Sequence, residues 1–177
     1  MKLRIIAFIL FVSLLCVDFL SKFLVNQHLP VMDSRFPFYP YGGIAIFKNF
    51  LGIEFSISHA TNKGAAWGLF ANFQQLLLYF RIVLIAGLIA YIIEFNKKVN
   101  NTVPLSIIAA GAVGNVIDYF LYGHVVDMFH FILWGYDFPV FNIADSCIFI
   151  GICWLIVNSW IEEKKTRSIS NETTYKN

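Results

Sequence analysis

Asp127 and Asp145 offer the most chemistry in this chain, because each stands where a strongly apolar segment meets its end. A charged side chain at membrane depth costs several kcal/mol unless it is paired or wetted, so acids placed there read first as functional. Two close carboxylates resist double ionisation. One keeps its proton while the other stays charged, which puts an acid and a base in one place. Such a pair can deprotonate a water for attack on an amide carbonyl and protonate the leaving nitrogen, without a metal, a cofactor or a covalent intermediate.

Other polar residues fall at helical spacing. Asp18 and Lys22 are four apart and share a helix face, where they can neutralise each other; a structural ion pair and a role in positioning substrate weigh about equally. Asn115 and Asp118, three apart, follow Gly111, Ala112 and Gly114, small residues that let helices approach closely, so hydrogen bonding between helices is the plain reading. Asn142 and Asp145, three apart at a helix start, could simply cap it. The depth that Asp145 shares with Asp127 turns the balance towards catalysis. His124, Asp127 and His130 could ligate a metal from one helical face, but Gly123 and the run Phe129-His130-Phe131 make a continuing helix a poor reading, and no metal site is expected. Cys16, Cys147 and Cys153 lie in apolar runs and read as small hydrophobes.

The elements that must position these groups follow from composition. Of 177 residues, 58% are hydrophobic, 18% aromatic and 14% charged, with mean hydropathy +0.68, which marks an integral membrane protein. A net charge of +2 without a basic patch sets nucleic acid aside as a partner. Spanning the hydrocarbon takes about 20 apolar residues. Four stretches qualify, at roughly 5–25, 76–95, 104–122 and 141–160. The first is too long for a cleaved signal, and Leu15 is too bulky for a cleavage site. Lys2, Arg4, Lys97, Lys98, Lys164, Lys165, Arg167 and Lys176 cluster on one side of these spans, which places both termini in the cytoplasm and brings Asp127 and Asp145 to the outer interface. Arg81 is near enough to the outer surface to act as an anchor.

The outer loop, 28–71, is too long and too aromatic for a linker. Within it Ile53, Phe55 and Ile57 alternate with Glu54, Ser56 and Ser58, a half-buried strand by its period, preceded by turns at Pro37, Pro40, Gly42 and Gly43. The expected fold is mainly α, a four-helix membrane bundle with a small β-sheet in the loop between helices 1 and 2. Residues 1–167 form one membrane-embedded domain and 168–177 a polar, disordered cytoplasmic tail.

Five motifs carry a resemblance: Asp18-x-x-x-Lys22, Asn62-Lys63-Gly64-Ala65-Ala66-Trp67-Gly68, Gly114-Asn115-x-x-Asp118, Gly123-x-Val125-Val126-Asp127, and Phe141-Asn142-x-Ala144-Asp145-Ser146. In this order on four spans, the chain resembles the bacterial lipoprotein signal peptidase (signal peptidase II) family. The resemblance implies an aspartic endopeptidase with Asp127 and Asp145 as its dyad. It implies that Asp18, Lys22, Asn62, Gly64, Asn115, Asp118, Asn142 and Ala144 shape the site or hold substrate. It implies as substrate a prolipoprotein whose cysteine carries a diacylglyceryl group, cut on the amino side of that cysteine by a monomer in the bacterial cytoplasmic membrane, with membrane lipid as its surroundings. Tyr119 stands where the family usually has arginine, and Phe19 where it usually has glutamine. Two rivals can be weighed. A proton-coupled carrier would need polar relays through the cytoplasmic half of the spans, which offers none. A lipoprotein-binding protein without catalysis is made thinkable by Tyr119.

Overall fold

The computed structural model describes residues 2–33, 35–36, 38–63, 73–96 and 98–174. Four helices long and apolar enough to cross a membrane dominate it: α1 (Lys2–His28), α2 (Gln74–Ala90, extended by a π-helical turn at Tyr91–Phe95), α3 (Val99–Tyr122) and α4 (Ile143–Thr174). Large apolar side chains such as Phe8, Ile9, Leu76, Phe80 and Phe149 lie exposed on their outer faces. In lipid that arrangement costs nothing, and the bundle can spend its interior on polar groups.

The helix α3 is the centre of the bundle, packed against both α1 and α4, while α2 rests chiefly on α3. Small residues make the approach possible. A Cβ on Gly114 would lie 2.5 Å from Asp18 Oδ2, and one on Gly111 would strike the carbonyl of Ala144. Gly123, with φ of 74°, ends α3 in the left-handed conformation, and its N–H donates to the Tyr119 carbonyl at 2.9 Å.

One antiparallel sheet, in the order β1 (Ile44–Phe50), β2 (Ile53–Asn62), β3 (Val125–Leu133) and β4 (Tyr136–Asp137), closes one end of the bundle. The expected strand at 53–58 is part of β2. The sheet is larger than the loop alone suggests, because the segment after α3 supplies its third and fourth strands. Val125, Val126, Phe129, Phe131 and Ile132, bounded by Gly123 and Gly135, have the β-branched and aromatic character a strand needs.

The faces of the sheet are also reversed from the usual pattern. Ser56, Ser58 and His130 are wholly buried with Val126 and Met128, whereas Phe55, Ile57, Phe129 and Phe131 are half-buried. Ser56 and Ser58 share a hydrogen bond at 3.1 Å, and the rings of Tyr39 and Tyr41 lie 6.1 and 5.6 Å from that of His130, so the polar face has its own cover. The aromatic face is left for other contacts.

The segment from Ser168 also departs from expectation, since its backbone is helical to Thr174. Glu162, Glu163, Lys164 and Lys165 are good helix formers, and Arg167 donates to Glu163 one turn back at 2.6 Å, so α4 is carried past the membrane span. Gly64, Trp67 and Lys97, singled out in the sequence, lie outside the described residues.

Candidate active site

Asp127 and Asp145 arrive at the site on different elements. Asp127 lies on β3, directly opposite Ala60 of β2, and is 2% exposed. A bulge in β2 between Ile57 and Ala60 resets the alternation so that Ala60, Asn62 and Asp127 share a face with Phe129 and Phe131. Asn62 is then a diagonal cross-strand neighbour of Asp127, and its Nδ2 donates to Asp127 Oδ2 at 3.1 Å. His130, three residues along the strand, is on the opposite face and contacts Asp137 at 2.7 Å, so His124, Asp127 and His130 do not form the single face that a helix would have given them.

Asp145 is held by its own helix. Asn142 Oδ1 accepts the N–H of Asp145 at 2.8 Å, and Asp145 Oδ2 accepts the N–H of Asn142 at 3.3 Å, a reciprocal capping box at the start of α4. The capping reading of this pair and the catalytic one are therefore compatible. An N–H can only donate, so the Asn142 carbonyl oxygen must face it, and the side-chain NH2 must point away. That group donates to Asp127 Oδ1 at 2.6 Å and lies 3.1 Å from Asn115 Oδ1. One buried asparagine thus touches both acids.

Behind them stands a single ammonium. Lys22 is wholly buried, and its Nζ lies 2.8 Å from Asp18 Oδ2, 2.9 Å from Asp118 Oδ2 and 2.9 Å from Asn115 Oδ1. Lysine has N–H bonds and no acceptor, so its contact with Asn115 Oδ1 fixes that amide with its NH2 towards Asp145 Oδ1, at 2.8 Å. The two partner carboxylates each reach one step further. Asp18 Oδ1 accepts the N–H of Ala144 at 2.8 Å, and Asp118 Oδ2 accepts the N–H of Val126 at 3.1 Å. Ala144 and Val126 are the residues immediately before Asp145 and Asp127. One cation therefore braces, through two arms, the backbone that carries each acid.

The structure brings Asp18, Lys22, Asn62, Asn115, Asp118, Asn142 and Ala144 together around the two aspartates. Tyr119 is half-buried on the same helix, with its ring against Phe120 at 6.4 Å. What sequence reasoning missed is the aromatic floor beside Asp127. Phe55 stacks on Phe131 at 4.4 Å, and Phe131 and Phe129 lie 6.0 and 5.6 Å from Phe141. The alternation of aromatic residues along Phe129, Phe131 and Phe55 was the available signal. It became meaningful only with the register.

Electrostatics marks out Asp127. Burial, and then the charge of nearby Asp145, raise the Asp127 carboxyl from 3.8 to about 7, against the opposing pull of its hydrogen bonds from Asn62 and Asn142. Asp145 Oδ1 accepts an N–H from the Asn115 amide, whose own oxygen lies on Lys22.

The sequence profile described as signal peptidase (SPase) II matches residues 10–161. The chain belongs to the signal peptidase II family. This is a protease family, and the four apolar helices make its member here a multi-pass membrane protein. A lipoprotein signal peptidase of Chlamydia pneumoniae is 40% identical over 115 residues, covering 64% of this chain and 68% of that one. One of Bacillus pumilus (strain SAFR-032) is 33% identical over 164 residues, 92% of this chain and 95% of its own. Among solved structures, a bacterial membrane enzyme determined in meso at 2.3 Å superposes with a TM-score of 0.75 at 27% identity, over 90% of each chain. Another, determined at 1.9 Å, gives 0.70 at 28% identity, over 86% of this chain and 90% of the other. The fold of this chain is therefore shared with both structures along nearly the full length.

Proposed function

We infer that this protein is a membrane aspartic endopeptidase that removes signal peptides from prolipoproteins, with Asp127 and Asp145 as its catalytic pair. The observation that carries the reading is Asn142, whose side-chain and backbone nitrogens hold one oxygen of each acid at 2.6 and 3.3 Å. Asp127, with its raised carboxyl, is the member that keeps the proton; Asp145 is the ionised base. A water held between them loses its proton to Asp145 as it adds to the scissile carbonyl, whose oxygen takes a hydrogen bond from protonated Asp127. Collapse of the tetrahedral species then sends a proton from the pair to the departing nitrogen, and the two acids end in their starting states. Asp18, Lys22, Asn62, Asn115, Asp118, Asn142 and Ala144 position the pair, and Gly64, by the family resemblance, shares in shaping the site.

The substrate is a precursor whose cysteine carries a diacylglyceryl group, cut on the amino side of that cysteine. Acyl chains hold the scissile peptide at the membrane face, where the half-exposed floor of Phe55, Phe129, Phe131 and Phe141 extends from Asp127 and can receive its apolar residues. Residues 1–167 act as one membrane-embedded peptidase domain and as a monomer in the bacterial cytoplasmic membrane. The termini are cytoplasmic and the aspartates lie at the outer face, by the asymmetry of Lys and Arg around the spans.

The test uses purified protein with synthetic precursor peptides, diacylated and unlipidated. The diacylated peptide is expected to be cut before its cysteine, with Asp127→Asn and Asp145→Asn inactive yet still folded. Full turnover by either variant, or binding of the lipidated peptide without cleavage by the wild type, would overturn the reading.

A further inference from the structure

At the end of the bundle opposite the sheet, two cavities adjoin. One, of about 440 Å3, is apolar and lies between α1, the π turn after α2 and α3, with Ala7, Phe8, Phe11 and Ile92 in its wall. The other, of about 230 Å3, is polar and is lined by Arg4, Glu94 and Asn96 among others. Arg4, Ile93 and Thr102 line both, so the two spaces share a wall. The larger falls within the range of about 300–1,000 Å3 common to small-ligand sites.

The polar cavity has unspent bonding capacity. Arg4 and Glu94 both line it, and neither has an ion pair among the described residues. Asn96 Nδ2 donates to Thr102 Oγ1 at 3.0 Å, while its Oδ1 is buried and lacks a donor. The π turn at Tyr91–Phe95 adds a residue to the helix and alters how Ile92, Ile93 and Glu94 are presented; such insertions recur at functional sites.

We propose that this end of the bundle binds one phosphatidylethanolamine-type phospholipid, with its phosphate on Arg4, its primary ammonium on Glu94 and Asn96 Oδ1, and an acyl chain in the apolar cavity. Each part of the site asks for one part of that molecule. A guanidinium fork suits a phosphate. A carboxylate and an acceptor without a donor, lining one cavity, ask for a cation that carries N–H bonds, which an ethanolamine head has and a choline head lacks. The apolar space continues from the same wall. A peptide helix with a basic amino end supplies no anion for Arg4 and would bring further positive charge beside Lys2, Arg4 and Lys98.

Full-length protein is placed in nanodiscs containing equal amounts of phosphatidylethanolamine and phosphatidylcholine with matched acyl chains, then released and weighed by native mass spectrometry. One retained phosphatidylethanolamine per chain is expected, enriched about tenfold over phosphatidylcholine, as one charge-assisted hydrogen bond gained would give. Glu94→Gln should bring the ratio close to that of the bilayer, and Arg4→Ala should lower retention of both lipids. Equal retention of the two lipids by the wild type overturns the proposal without recourse to any variant. An enrichment that survives both substitutions also overturns it. So does a photo-crosslinking side chain at position 93 that labels a precursor peptide in preference to lipid.

Discussion

Asp127 and Asp145 meet at one site but are placed by opposite means. Asp145 sits in the first turn of α4, and its capping box with Asn142 spans three residues of sequence. Asp127 rides a strand whose position depends on pairing with β2, some 65 residues away along the chain at the Asn62 contact. Asp145 has a local cap besides its long-range contacts, whereas Asp127 is placed by tertiary structure alone. The contrast teaches that a two-acid site can combine one member capped by local helix geometry with one placed by long-range strand pairing, and that burial falls most heavily on the latter.

Four measurements break or sharpen this contrast. The largest effect is expected from Asp127→Asn and Asp145→Asn, each lowering kcat for a diacylated precursor by at least about 10²–10⁴-fold, the contribution typical of a positioned acid or base. Unequal losses would show that the two are less interdependent than a shared water requires.

Next comes Lys22→Met, which strands the buried carboxylates of Asp18 and Asp118 and should cost about 3–5 kcal/mol of stability, read as a fall in thermal midpoint in detergent. The single-arm changes separate the two regions: Asp18→Ala frees the backbone before Asp145, and Asp118→Ala frees that before Asp127. Asn142→Ala removes a cap worth about 1 kcal/mol and the donor to Asp127 together. It should therefore reduce kcat more than its modest loss of stability suggests, with KM little changed.

The smallest effect is a shift in pH dependence. Asp127 holds its proton in the folded protein to about pH 7, whereas an unfolded aspartate has released it near 3.8. The folded state therefore binds the extra proton between these values, so this group's contribution to stability is greatest below pH 3.8 and is lost as pH rises through 7. Activity should fall on the alkaline side near the same pH. Asn62→Ala deletes a hydrogen bond that favours the anion, so this limb should move upward by about one pH unit. Asp145→Asn removes the neighbouring charge and should move Asp127 downward, measurable by carboxyl NMR titration. An alkaline limb that ignores Asn62→Ala would dissociate Asp127 from it.

Legibility from sequence follows the same division. Helical spans announce themselves by length and hydropathy, and the pairs Asp18–Lys22, Asn115–Asp118 and Asn142–Asp145 were visible because helical spacing of three or four brings them to one face. The strand that carries Asp127 was not legible, because its partner lies on the far side of two helices and its register is set by a bulge in β2. The reversal of the sheet's faces was hidden for a related reason. Alternation predicts two faces, but only the bundle decides which is covered, and near a membrane the polar face can be the enclosed one. That Lys22 joins Asp18 to Asp118 also needed coordinates, since the small residues of α3 show that a helix comes close without showing which.

The ion pair within α1 has a bearing on biogenesis. Helix α1 leaves the ribosome before α3 and must wait in the bilayer until α3 is made, and a bare lysine would be poorly tolerated during that interval. Asp18, one helical turn away at 2.8 Å, gives it a companion of its own from the outset. When α3 arrives, Asp118 adds a second counter-ion without displacing the first. The lysine is thereby never left without a counter-ion, and the order in which the helices are synthesised becomes an order in which they can assemble.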